Sequence, residues 1–348
     1  MRTLGKFLAG VCAILFIITG VLALLFFNIE RKAFSAVTYK QAFDKLQLYN
    51  RMPGILAEIL STAIAQNPQA STYLKSFTAG DWESAISVLV PPEELRALAN
   101  STLDSTFDYL NGRTNWVVIS LLPFKSHLAG PTGVGAVLQL LRAQPTCTVD
   151  QILQLTFALM NGGDVIFCNP PPEAVDIVRP LVESQLRFMI AALPNEIILA
   201  STQGIGTPGD PRTNLRIARA IMQVTPLFPM MFLLGLTIFG VRGLIDWLNW
   251  WGWPFLLTGA ASLLTALPGA FLVGFLIQWL LEIQLGAFLP PILLATLRET
   301  VSAIAGEILG PVAIIGFALA GMGLMMILVA AFLAYTQRER TIPRSQIR

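Results

Sequence analysis

The chain offers few residues able to do chemistry, and their spacing limits each of them. It has one histidine, His127. A zinc site needs three or four nitrogen, sulfur or oxygen ligands, and neither a Cys/His cluster nor HExxH occurs. Ser126 is adjacent to His127, too close for the imidazole to act as its base in a triad. Gly130-Pro131-Thr132-Gly133-Val134-Gly135 begins like a phosphate-cradling loop. That loop needs Lys and then Ser or Thr to hold phosphate and Mg²⁺, where this chain has Ala136-Val137. The segment therefore predicts a glycine-rich turn opening a helix. Gly204-Ile205-Gly206-Thr207-Pro208-Gly209 fits GxGxxG. Pro208 and Asp210-Pro211 break the chain where a helix N-terminus would have to meet a pyrophosphate. Asp104 and Asp108 share a helical face. Acid–base work would need surroundings that separate their pKa values, and a solvated face is the simpler expectation. No catalytic set, cofactor site or metal site emerges, and an enzyme is not expected.

The cysteines say more. Cys12 lies in an apolar stretch; Cys147 and Cys168 flank a predicted helix in the polar part of the chain. In an exported domain such a pair reads as a disulfide closing a loop of about 20 residues. Thr148-Val149-Asp150-Gln151 matches a capping box at the start of that helix. A second helix follows Pro172-Glu173, with the stripe Val178, Val182, Leu186, Met189, Leu193 at spacings of three and four. Short β-rich runs stand at 115–121 and 196–200. Two copies of about 80 residues emerge from these pieces. One runs from Gly80-Asp81 through Pro91-Pro92-Glu93 and a helix to Trp116-Val117-Val118-Ile119; the other runs from Gly163-Asp164 through Pro171-Pro172-Glu173 and a helix to Ile197-Ile198-Leu199.

The elements that must position these residues sit in a membrane protein. Hydrophobic residues are 54% of the 348, charged residues 13%, and mean hydropathy is +0.65, against about 25% charge in globular chains. Four stretches free of ionisable groups are long enough to cross a bilayer: Phe7–Phe27, Ala220–Val241, Pro254–Leu281 and Gly310–Tyr335. The first is too long for a signal-peptide core and reads as an uncleaved anchor. The expected fold is a mainly α membrane protein of four transmembrane helices. One large, mostly helical extracytoplasmic domain with a minor β component is inserted between helices 1 and 2. Its parts are the anchor (1–27), the extracytoplasmic domain (28–219), a three-helix membrane region (220–335) and a basic cytoplasmic tail (336–348).

Charge gives a direction. Arg2, Lys6, Arg242, Arg338, Arg340, Arg344 and Arg348 share one side with only Asp246 and Glu339, which places both termini in the cytoplasm. Arg31, Lys32, Arg212, Arg216 and Arg219 at the flanks of the large domain pull the other way, but long domains translocate largely regardless of charge. Near 291–308, Leu293, Leu297, Val301, Ile304 and Ile308 form an amphipathic stripe in the outer loop. Trp247, Trp250, Trp251 and Trp253 lie in the inner loop 242–253 and read as an interfacial anchor or a docking loop. Gly316 and Ala320 mark a helix-packing face. The spans lack the ionisable groups that ion and proton paths need.

One span, a large outer domain, then three spans resembles the topology of ABC-type membrane subunits of the FtsX/MacB family. The likeness is of layout, with no motif shared. It implies a permease-like subunit whose loop 242–253 meets a cytoplasmic ATPase while the outer domain moves. The leading expectation is a non-catalytic membrane protein whose extracytoplasmic domain binds a protein partner, as scaffold, assembly factor or sensor. An envelope enzyme using unidentified carboxylates stands third. The expected partners are the lipid bilayer and protein, with an oligomer or larger membrane complex possible and no nucleic acid.

Overall fold

A computed structural model of the chain describes residues 2–69, 72–142, 144–161, 168–202, 210, 212–285 and 290–341. In chain order the elements are α1 (Arg2–Ala33), α2 (Ala36–Lys45), α3 (Leu48–Gln66), α4 (Thr72–Ser76), α5 (Ala79–Leu89), α6 (Pro92–Leu110) and β1 (Trp116–Ser120). Then come α7 (Leu122–Ala129), α8 (Pro131–Arg142), α9 (Val149–Asn161), α10 (Pro172–Ala192) and β2 (Glu196–Ser201). The chain closes with α11 (Arg212–Val224), α12 (Leu227–Gly240), α13 (Leu244–Leu285) and α14 (Pro291–Thr341). The Gly204–Gly209 turn, Gly163-Asp164 and the end of the basic tail lie outside the described residues.

The fold is mostly helical, and four helices are long and apolar enough to cross a membrane: Leu4–Ala33, Arg212–Gly240, Leu244–Ile283 and Pro291–Arg338. The chain is a multi-pass membrane protein by length and composition. Two compact units divide it: residues 1–42, 206–284 and 297–348 form one, and 43–205 with 285–296 the other.

The first unit holds the apolar helices. α1 buries Ala9, Phe16 and Ala23, a stripe of spacing seven. Along it α12 runs antiparallel: a Cβ on Gly5 would meet Phe239 O at 3.4 Å, and one on Gly235 would meet Cys12 Sγ at 3.2 Å. At the far end Arg219 of α11 donates to Glu30 of α1 at 2.9 Å, and Gln223 Nε2 donates to the same oxygen at 2.9 Å. Arg219 also stands 4.7 Å over the Phe34 ring. α11 ends at Val224, and α12 starts after Pro226, which lacks the amide needed to continue the helix.

α13 and α14 form a second antiparallel pair on a glycine seam. A Cβ on Gly259 would lie 2.4 Å from Ala320 N and Gly316 O; one on Gly323 would lie 2.4 Å from Leu256 N. Only glycine lets these backbones approach so closely. Gly274 against Ser302 continues the seam toward the other end of the pair.

These helices exceed the apolar stretches that mark them. The segment expected as an inner loop, 242–253, is helical from Leu244, with Asp246 in the first turn where a carboxylate suits the helix dipole. The amphipathic segment near 291–308 belongs to α14, continuous through Pro311 into the last span. Hydropathy marks where a helix meets lipid, not where its hydrogen bonds stop.

The second unit is a set of short helices around a small sheet. Its core is Val134, Leu138 and Leu141 of α8 against Val178 and Val182 of α10, with Val137, Val175 and Leu186 around them. The predicted stripe on α10 is buried only in its first half. Met189 and Leu193 are 51% and 42% exposed. The buried face runs from Val178 and Val182 through Leu186 to Ile190, which is buried, a spacing of four that leaves Met189 and Leu193 to one side.

Candidate functional site

The surfaces most able to act on another molecule lie in the second unit. α6 and α10 begin alike. Pro91 caps α6 at φ −62°, ψ 153°, and Pro171 caps α10 at φ −60°, ψ 155°. Each places a proline in the first turn, where no amide is missed. Each helix leads into a strand, and β1 and β2 pair antiparallel in a two-stranded sheet. The register runs Ser120↔Glu196, Ile119↔Ile197, Val118↔Ile198, then Val117↔Ala200, so Leu199 is the extra residue of a bulge. Val117 is buried, and α6 packs against β1.

Cys147 and Cys168 are bonded, with Cα atoms 5.0 Å apart across a separation of 21. The bond ties both ends of α9. Beside it Cys147 N donates to Asn169 O at 2.9 Å and Asn169 N to Pro145 O at 2.8 Å. Thr148 N donates to Gln151 Oε1 at 2.9 Å, and Gln151 N to Thr148 Oγ1 at 3.3 Å. This reciprocal cap starts α9 next to the crosslink. Leu138, Arg142, Asn169 and the prolines 170–172 line a cleft of about 570 Å³ beside it. α9 then presents Val149, Leu153 and Phe157, one per turn, at 76%, 55% and 64% exposure.

A smaller, polar cleft of about 250 Å³ is lined by Asp44, Tyr49, Glu93 and Arg96 among others. Arg96 pairs with Asp44 and stands 5.6 Å over the Tyr49 ring. Burial pushes the Tyr49 phenol up from its ordinary value; the Asp44 carboxylate adds to that and the Arg96 charge opposes it. Asp44 and Arg96 are each about half exposed, so this is a surface ion pair of small energy.

The residues weighed first for chemistry are occupied by the fold. His127 Nε2 lies 3.4 Å from Val88 O, and Ser126 Oγ donates to Pro123 O at 2.7 Å. Asp108 pairs with Arg113 at 3.0 Å. A Cβ on Gly133 would fall 1.9 Å from Leu128 O. The glycine of the loop-like segment therefore lets α7 and α8 turn tightly on one another. Among the described residues no three His, Cys, Asp or Glu groups are placed to hold a metal ion.

The four tryptophans sit in the first turns of α13. Trp251 Nε1 donates to Thr237 Oγ1 at 3.0 Å and its ring lies 5.1 Å from that of Trp247. A Cβ on Gly240 would lie 3.2 Å from the Trp250 ring. Trp253 alone of the four is more than half exposed, at 53%. Trp250 and Trp251 thus fasten α13 to α12, and Trp247 packs on Trp251. Gly316 and Ala320 form the α14 side of the glycine seam. Sequence reasoning missed the exposure of β2: Ile197, Ile198 and Leu199 are 40%, 64% and 57% exposed. Three consecutive apolar residues read as buried, and only the tertiary cover reveals otherwise. The chain matches no protein-family model, no curated protein and no solved structure.

Proposed function

We propose that the chain is a membrane-anchored docking protein. The segment between its first and second spans lies outside the cytoplasm and binds a protein partner without catalysing a reaction on it. The observation that carries this reading is apolar surface exposed on a crosslinked polar unit. Val149, Leu153 and Phe157 of α9, Phe188 and Met189 of α10, and Ile198 and Leu199 of β2 all face outward. Large exposed apolar surface on a folded unit marks an interaction site. The Cys147–Cys168 disulfide supports an oxidising compartment, hence the outer side.

The test is purification of the native chain in mild detergent with identification of co-purifying chains. A stoichiometric envelope protein, lost on Phe157→Asp with the disulfide intact, supports docking. A stoichiometric cytoplasmic ATPase that stays bound to Phe157→Asp would replace this reading with the permease-like one. Reporter fusions after Lys40 and after Arg338 test sidedness: a cytoplasmic signal at Lys40 overturns the placement.

A further inference from the structure

α1 and α13 run side by side in the same direction. The Phe16 ring lies 5.5 Å from that of Phe255, and one turn on, a Cβ on Gly20 would lie 2.9 Å from Thr258 Cγ2. Before these contacts the two helices part around a groove of about 380 Å³, within the range of ligand clefts. Its walls are Ala13, Ile14 and Ile17 on α1 and Trp253 and Leu257 on α13, with one polar side chain, that of Asn249, among them. The contact of Gly20 with Thr258 closes one end. Toward the other, a Cβ on Gly10 would meet nothing within 4 Å, so the α1 wall stays open there. Lys6 continues the α1 stripe, four residues before Gly10 and seven before Ala13. Asp246 continues that of α13, three residues before Asn249 and seven before Trp253. Seven residues are about 10 Å of helix. A cation and a carboxylate therefore stand about that far from the apolar walls, with the amide between. Among the described residues no hydrogen bond or ion pair satisfies the side chain of Lys6, Asp246 or Asn249.

We infer that this groove holds one acyl chain of a phospholipid whose headgroup bears a primary amine. The order of groups along the helices carries the inference. Such a lipid presents phosphate and amine first, then an ester, then the chain. The groove presents Lys6 and Asp246 first, then the Asn249 amide, then apolar walls. Lys6 lays its stem along apolar surface and carries its ammonium to the phosphate. Asn249 donates to an ester carbonyl. Asp246 accepts from the headgroup ammonium, and it repels a headgroup that carries negative charge alone. A quaternary ammonium has no N–H to give it. Arg242, in the turn before α13, adds positive charge at this end, which suits the phosphate. Trp253, one turn beyond the amide and 53% exposed, is placed where an amphipathic ring suits the interface. Both walls belong to helices long and apolar enough to cross a membrane, so the bilayer itself supplies the ligand. The site lies in the first unit and does not depend on the docking reading.

The experiment uses the full chain, purified in mild detergent and washed free of lipid. Phosphatidylethanolamine is expected to raise its thermal midpoint by several degrees. Phosphatidylcholine and phosphatidylglycerol with the same chains should raise it less than half as much. Glycerophosphoethanolamine, the same headgroup without chains, should leave it unchanged. Gly10→Leu fills the open wall without meeting protein, so it keeps the lipid-free midpoint and loses the phosphatidylethanolamine shift. Asp246→Asn keeps a shift but makes the ethanolamine and choline lipids equal. The inference is overturned if no lipid shifts the parent chain, if all three shift it equally, or if phosphatidylglycerol shifts it most. A shift from the chainless headgroup, or a Gly10→Leu chain that responds as the parent does, overturns it as well.

Discussion

Glu30 and Arg219 meet at 2.9 Å with the Glu30 side chain 9% exposed and that of Arg219 21% exposed. Taking charges out of water is costly, and removing one partner leaves the other uncompensated. Arg219→Ala is therefore expected to destabilise by about 3–5 kcal/mol, read as a lower thermal midpoint in detergent. Adding Glu30→Leu to it should recover most of the loss. An Arg219→Ala protein as stable as the parent would remove the pair from any structural role. Thr78 and Asp81 are a gentler case. Thr78 N donates to Asp81 Oδ2 at 2.9 Å, and Asp81 N to Thr78 Oγ1 at 3.2 Å, which caps α5. The bonds from the Thr78 side chain and then its backbone hold the Asp81 carboxyl below its ordinary value. Its contribution is present above the unfolded pKa and disappears as pH falls through the lower folded value. Hydrogen exchange of α5 amides should therefore quicken below about pH 4. Thr78→Ala should quicken it already at pH 7, at a cost of about 1 kcal/mol. Protection that stays flat with pH would show that the carboxylate contributes nothing there.

The helices divide by what the sequence revealed of them. Lipid-crossing character was legible because about 20 apolar residues leave few alternatives. Where each helix ends was not. The tryptophans and the 291–308 stripe looked like loop features because polar residues interrupt the apolar runs, while the helical hydrogen bonds continue through them. The small residues at Gly316 and Ala320 were visible as a stripe; Gly259 and Gly323, which complete the contact, needed the pairing of α13 with α14. Gly259→Val places atoms inside the α14 backbone, so it should separate the two helices and lower the detergent midpoint by several degrees. Ser262 behaves oppositely. It is fully buried with its hydroxyl unpartnered, as is Thr258 one turn away. An unpaired buried hydroxyl costs about 1–3 kcal/mol. Ser262→Ala is accordingly expected to leave the midpoint unchanged or raise it, and a clear fall would show that the hydroxyl has a partner in the membrane.

The whole molecule has a bundle built for lipid and a second unit whose α8–α10 cluster holds five buried side chains, with Tyr49, Ile55, Phe77, Phe107, Tyr109 and Val117 buried elsewhere in it. The crosslink lies beside the α8–α10 cluster. Cys168→Ser is expected to cost about 3 kcal/mol by the loop-closure argument and to expose α9 to protease. Thiol labelling should leave Cys147 and Cys168 unmodified in the native protein, and after denaturation without reductant only Cys12 should react. Labelling of Cys147 in the native state would overturn the crosslink. The cysteine pair, the strands and the proline-led helices could be read from residue types at fixed spacing, since each is a local device. The exposed strand could not: Ile197, Ile198 and Leu199 look like a core segment, and their exposure depends on a helix that covers β1 and not β2.

The ion pair between α1 and α11 also sets a schedule. Its two members are 189 residues apart. At roughly 5–20 residues per second of synthesis, Glu30 waits about 10–40 s for Arg219 to emerge. Throughout that interval the first helix carries an unanswered carboxylate at its end and lacks α12 along its flank. It must be held by the insertion machinery or by water at the bilayer surface. The arrival of α11 is then the step that answers the Glu30 carboxylate and closes the contact between the two helices. A ribosome stalled before residue 219 should leave Glu30→Cys open to a water-soluble thiol reagent, and one stalled well after residue 240 should leave it protected.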